Sequence, residues 1–167
     1  IGWNGMKLVR EDSKPISSDT GLNEIGEMAV AGGFVNADKL GTVKKGSFQK
    51  EYIDFLMRFV NPELVKPMKV VINAGNGCAG PTMDLLETLL PFEFIKVNHD
   101  PDGTFPNGVP NPLLQENREM TASVVRKSGA DIGIAWDGDF DRCFFFDEAG
   151  EFIEGYYLVG LLAEAML

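Results

Sequence analysis

Apolar residues recur at two spacings along this chain, and the change between them marks its organisation. From residue 69 onward, short apolar runs alternate with helix-spaced segments. The runs predict strands over 69–73, 92–97, 131–136, 142–146 and 151–153. The segments between them predict a helix from a Gly-rich turn to about 90, a second over 113–128 and a final amphipathic one from about 156. Alternation of this kind needs crossover connections, which favour parallel pairing, so the expected fold is a layered α/β/α domain with a mixed, mainly parallel sheet. The run 131–136 is apolar on both faces, as a strand covered on both sides should be.

The stretch before residue 69 carries less. Asn4-Gly5 predicts a turn and Lys7-Leu8-Val9 a short strand. A helix is expected over 21–31, capped by Asp19 or Thr20, with Leu22, Ile25, Met28 and Ala29 on one stripe and Gly32-Gly33 as its stop. A composition break at 43–47 precedes another helix, in which Phe48, Tyr52, Phe55, Leu56 and Phe59 recur at helical spacing. Ser47 is its expected cap and Pro62 its end. The organisation this suggests is an incomplete α/β remnant over 1–45 followed by a domain over 46–167.

Charge narrows the partners. A formal net charge of -10 repels phosphate backbones and anionic lipid, which argues against nucleic-acid and membrane-surface partners. No apolar run is long enough to span a bilayer, and residues 1–10 lack the pattern of an export signal, so the cytoplasm is the expected compartment. Cys78 and Cys143 have no CxxC or Cys/His spacing, which predicts reduced, buried thiols rather than a disulfide or zinc site. The turn Asn73-Ala-Gly75-Asn-Gly77-Cys-Ala-Gly80-Pro matches neither dinucleotide nor P-loop spacing, and is read as a tight turn with Pro81 opening a helix. His99, in an Asp/Pro-rich loop, is read as a hydrogen-bonded turn residue. Trp3, Trp136, Tyr156 and Tyr157 are read as core or interface aromatics.

The densest chemistry lies in Asp137-Gly-Asp139-Phe-Asp141-Arg142, directly after the buried run. The C-terminal end of such a strand is where open α/β sheets hold ligands. Three carboxylates at alternate positions repel one another unless a cation neutralises them, and a small hard cation such as Mg²⁺ takes carboxylate oxygens. Gly138 lets the backbone bend between the first two candidate ligands, and Arg142 offers a planar fork suited to phosphate. Metal and arginine together point to phosphoryl transfer.

An Asp-Gly-Asp-x-Asp-Arg loop after an apolar strand resembles the metal loop of the α-D-phosphohexomutases, and Phe140 with Cys143-Phe is similar to its bacterial phosphomannomutase members. The likeness extends to Asn4-Gly5-Met6-Lys7, to the strand and turn over 71–80, and to His99-Asp-Pro-Asp-Gly-Thr-Phe-Pro-Asn with Pro110-Asn-Pro112, which together cover nearly the whole chain. It implies reversible transfer of phosphate between the 1 and 6 positions of a mannose or glucose phosphate, by way of a phosphoserine and a bisphosphorylated sugar. It further implies that Asp137, Asp139 and Asp141 ligate Mg²⁺, while Arg142 and Lys7 act near the transferred phosphate.

The chain also departs from that pattern. None of Ser13, Ser17, Ser18, Ser47, Ser123 and Ser128 stands in the family's Thr-Ala-Ser-His-Asn-Pro setting, so the nucleophile is expected outside this chain and the chain alone is expected to be inactive. The long loop reads Asn107-Gly-Val109 where the family often has Asn-His, and is taken as structural. Two rival readings keep the acidic loop. An aspartyl phosphatase would use Asp137 as nucleophile and Asp139 as acid, but Asp141 stands where that superfamily wants Thr or Val. A calcium loop would end on Glu148, but Arg142 occupies its required glycine position.

Overall fold

The computed structural model describes residues 5–35 and 38–167, and divides the chain into units 1–46 and 47–167. The Asn4 half of the expected Asn4-Gly5 turn, and Trp3, lie outside the described residues.

In the first unit the expected strand at Lys7-Leu8-Val9 is reduced to a single bridge, Val9 to Pro15. A ladder needs a partner of several residues. Here the chain instead turns back at once, with Asp12 and Ser13 at φ of 58° and 57°. Helix α1 spans Leu22–Ala31, and its N-cap is Gly21 rather than Asp19 or Thr20. Those two belong to a preceding 3₁₀ turn, Ser18–Thr20, which Ser17 and Thr20 close with a capping box. Gly32, left-handed at φ 66°, ends α1 by donating its N–H to Met28, and the apolar stripe of α1 carries no buried residue.

The second unit is built on five strands: β1 (Met68–Asn73), β2 (Phe92–Val97), β3 (Ile132–Trp136), β4 (Cys143–Phe146) and β5 (Phe152–Ile153). Their order is β2-β1-β3-β4-β5. β1 pairs parallel with both β2 and β3, whereas β4 and β5 add antiparallel. The parallel centre follows from the crossovers, because α3 (Gly80–Glu87) connects β1 to β2 and α4 (Glu119–Ser128) connects β2 to β3.

The two helices cover opposite faces. Val70, Ile72 and Ala74 pack with Ala79, Met83 and Trp136 on the α3 side, and Val71, Ala135 and Phe146 pack with Ala122 and Val125 on the α4 side. Helix α2 (Gln49–Leu56) continues as a 3₁₀ turn, Met57–Phe59, and buries Ile53. Its N-cap is Phe48, although the Ser47 hydroxyl still accepts the Gln49 N–H at 3.4 Å.

Two expectations need correction on this unit. The helix read over 113–128 starts at Glu119, after a 3₁₀ turn at Gln115–Asn117. The cause is Arg118, whose Nε and Nη2 donate to the carbonyls of Pro112 and Leu113 at 3.1 Å each and hold that segment in turns ahead of the helix. Cys78 and Cys143 are free but exposed, not buried. One sits in the turn ahead of α3 and the other opens β4, where the chain leaves the acidic loop. The last helix, α5 (Gly155–Met166), has no buried residue, and the Tyr156 and Tyr157 rings lie 4.4 Å apart on it. No helix among the described residues is long and apolar enough to cross a membrane.

Candidate metal centre

The acidic loop leaves β3 at its C-terminal end and returns as β4, so an antiparallel pair fixes both of its ends: Trp136 opposes Cys143, and Ala135 opposes Phe144. This places Asp137 beside the C-terminal ends of the parallel strands β1 and β3, where strand order leaves room for a ligand. Within the loop the Phe140 N–H donates to the Asp137 carbonyl at 3.3 Å, closing a turn. Phe140 adopts a left-handed φ of 65°, which costs a non-glycine residue on the order of 1 kcal/mol. Its ring stands edge-on to Trp136, with centroids 5.6 Å apart, and that contact offsets the strain.

The three carboxylates are not equivalent. Asp137 is 1% exposed, whereas Asp139 and Asp141 lie at the surface. A buried carboxylate needs partners. Arg142 supplies them all: Nε and Nη2 reach Oδ2 at 2.7 and 2.6 Å, and the Arg142 backbone N–H donates to Oδ1 at 3.1 Å. The hydrogen bond and charge of Asp137 push the Arg142 guanidinium pKa up, so the guanidinium stays charged. Arg142 Nε also lies 3.5 Å from Asp141 Oδ1.

Asp137, Asp139 and Asp141 each offer an oxygen, and these three atoms lie within 4.8 Å of one another. An all-carboxylate set this tight suits a hard divalent cation. Lys7 belongs to the first unit, exposed and outside any strand.

Backbone packing braces the loop. A Cβ on Gly77 would lie 2.6 Å from the Gly138 carbonyl oxygen, which accepts the Cys78 N–H at 3.1 Å. The Gly-rich turn is therefore a structural clasp. Its N–H groups from 75 to 78 are engaged, Gly75 with Asn73 Oδ1, Asn76 with Asn98, Gly77 with Ala74 and Cys78 with Gly138. His99 is hydrogen-bonded as its loop position suggested, Nε2 to Asp84 Oδ1 at 2.8 Å. Sequence reasoning gave no reason to single out Phe105, whose ring approaches Gly138. Its only signal was an aromatic residue in an otherwise polar loop.

Comparison with known proteins bears on the family and the fold. The family model for phosphoglucomutase/phosphomannomutase, alpha/beta/alpha domain II, matches residues 50–150. Phosphohexose mutases of Xanthomonas campestris pv. campestris (strain B100) are 57% identical over the whole chain, which spans 37% of that protein. A phosphomannomutase of Vibrio cholerae is also 57% identical, with the same 37% of its length covered. Among solved structures, a phosphoglucomutase/phosphomannomutase family protein from Burkholderia thailandensis superposes with a TM-score of 0.78 at 30% identity, over 87% of this chain and 31% of that one. The chain thus spans little more than a third of the relatives it matches.

Proposed function

Because the chain belongs to the phosphoglucomutase/phosphomannomutase family, we propose that it is the metal-loop portion of a cytoplasmic enzyme that interconverts hexose 1-phosphate and hexose 6-phosphate, with mannose or glucose as the sugar. In this reading residues 1–45 close the enzyme's first domain and residues 46–167 form its second. The observation that carries the proposal is the convergence of three aspartate oxygens at the C-terminal edge of the parallel strands.

Asp137, Asp139 and Asp141 would hold Mg²⁺. When bound, the ion would polarise a phosphoryl oxygen and neutralise developing charge. The chain's own residues prepare the site. Arg142 holds Asp137 oriented in a buried position, and of its five side-chain N–H donors Asp137 takes two. The others can engage phosphate oxygens. Lys7 is the second proposed catalytic cation, an ammonium that stabilises charge on the transferred phosphoryl group. No serine of this chain stands in the setting expected of the phosphorylated nucleophile, so the chain by itself should not turn over.

Titration calorimetry of the chain with Mg²⁺ tests the reading. Asp139→Asn should weaken binding on the order of tenfold, since it removes one charged ligand. Unchanged affinity would remove the ligand assignment. Incubation with mannose 1-phosphate and a hexose bisphosphate should give no product, and sustained conversion would overturn the proposed division of labour.

A further inference from the structure

Phe105 stands out in the loop between β2 and α4. It is half-buried where its neighbours from 101 to 109 are exposed, and it holds a left-handed φ of 48°. A bulky residue keeps such a conformation only when its surroundings impose it. Here they do. The Phe105 N–H donates to Asp102 and its carbonyl accepts from Gly108, both at 2.9 Å. Asp102 in turn donates its N–H to the Asn76 carbonyl at 2.8 Å. The Asn76 side chain reaches the Asp100 carbonyl at 2.9 Å and accepts from Asn107 at 2.9 Å. The long loop is thereby locked onto the Gly-rich turn, with Phe105 aimed inward.

Its target is Gly138. A Cβ there would lie 3.2 Å from Phe105 Cζ and 3.7 Å from Pro110 Cγ, while Gly77 and Cys78 close on the Gly138 carbonyl from the turn. Gly138 is thus contacted by the long loop and by the turn. It is also the hinge between Asp137, which Arg142 fixes, and Asp139, which is exposed. Resting on the metal-centre reading above, we infer that Phe105 is a positioning residue of the metal loop: by filling the space beside Gly138 it sets the direction in which Asp139 leaves the backbone, and so the size of the cation the three oxygens accept.

The consequence is selectivity as well as affinity. Mg²⁺ demands a compact, near-octahedral shell, whereas Ca²⁺ tolerates a wider and more flexible one. Loosening Gly138 penalises the smaller ion first.

The test uses the full chain, with Mn²⁺ binding followed by electron paramagnetic resonance and with Mg²⁺ and Ca²⁺ as competitors. Phe105→Ala should lower Mg²⁺ affinity on the order of tenfold, the usual scale for residues that orient metal ligands, with a smaller loss for Ca²⁺. The Mg²⁺ to Ca²⁺ preference therefore falls. Phe105→Leu keeps an apolar filler should the alanine variant fail to fold, and should shift the preference the same way by less. A purely structural role would lower the thermal midpoint and leave the preference unchanged, and that result overturns the inference while Asp139→Asn still weakens Mn²⁺ binding. If the wild-type chain leaves the free Mn²⁺ signal undiminished, or Asp139→Asn binds like wild type, the metal-centre reading fails and the inference falls with it.

Discussion

Arg142 holds Asp137 by both edges of its carboxylate: guanidinium Nε and Nη2 on Oδ2 at 2.7 and 2.6 Å, backbone N–H on Oδ1 at 3.1 Å. The pair closes the acidic loop on itself five residues apart and balances a charge that is 1% exposed. Breaking one side of a buried pair costs about 3–5 kcal/mol, but the Arg142 side chain is 54% exposed and water can enter. Arg142→Met should therefore lower the urea midpoint, by less than a fully buried pair would. Arg142→Lys should cost less, since one donor still reaches Oδ2. In the double variant Asp137→Asn with Arg142→Met much of the loss should return, because no unpaired charge is left buried. Additive losses would show that the two residues act independently.

The clasp between the Gly-rich turn and the loop makes Gly77 irreplaceable for steric reasons alone. A Cβ there would meet Gly138 O at 2.6 Å, Gly138 Cα at 2.9 Å and Ala74 O at 3.1 Å, all backbone atoms that cannot rotate away. Gly77→Ala should destabilise the chain by about 1–3 kcal/mol, as overpacking does, and weaken divalent-metal binding in parallel. Gly103→Ala, with nothing within 4 Å of the added carbon, is the matched control and should be neutral. Equal thermal midpoints for the two variants would remove the clasp from the account.

Much of this architecture was readable from local pattern, and the failures have a common cause. The run 131–136 announced a buried strand because α3 and α4 cover both of its faces, so every position after Asp131 is apolar or glycine. The acidic loop was readable because metal chemistry needs those residue types at that spacing. Spacing does not reveal, however, that Asp137 is buried and paired while Asp139 and Asp141 face solvent, since that depends on where β4 returns. The late start of α4 is set by Arg118, which bonds Pro112 and Leu113 and lays its guanidinium 3.6 Å from the Phe152 ring centroid, a contact across the fold. The exposed thiols follow the same rule. Cysteine is usually buried by type, yet Cys78 and Cys143 stand where turn and strand geometry direct them outward.

Phe146 ties the antiparallel β4 to the parallel core. It is fully buried among Val71, Ala122, Val125 and Ala135, with its ring edge-on to Phe152 at 5.5 Å. Its partner Gly133 leaves the space it needs, for a Cβ there would lie 2.6 Å from Val125 and 3.2 Å from Phe146. Phe146→Ala should cost about 3–5 kcal/mol and Phe146→Leu distinctly less, read from the urea midpoint. A loss below about 1 kcal/mol for the alanine variant would mean that β4 is held by its ladder alone.

Acid sensitivity should have a contribution from outside the loop, at Asp84 on α3. Lys96 donates to its Oδ1 at 2.8 Å and to Glu87 Oε2 at 2.7 Å, and His99 Nε2 shares the same Asp84 oxygen at 2.8 Å. The Lys96 hydrogen bond, with a smaller part from His99, holds the Asp84 carboxyl below its ordinary value of 3.8. A depressed folded-state value means that the unfolded chain binds the proton first, so this contribution is fully present above about pH 5 and disappears as pH falls through the folded value. Lys96 shows the mirror image. Asp84 and Glu87 push its ammonium above 10.5, and its share is lost only as pH rises beyond that range. Because the Asp84 side chain is 51% exposed, solvent screening keeps the effect below about 1 kcal/mol. Asp84→Asn should therefore flatten the fall in stability between about pH 5 and pH 3, measured as the urea midpoint at low salt, and leave the profile near neutrality parallel to wild type. Added salt should shrink the difference, and a wild-type slope that persists unchanged in the variant would place the acid sensitivity elsewhere.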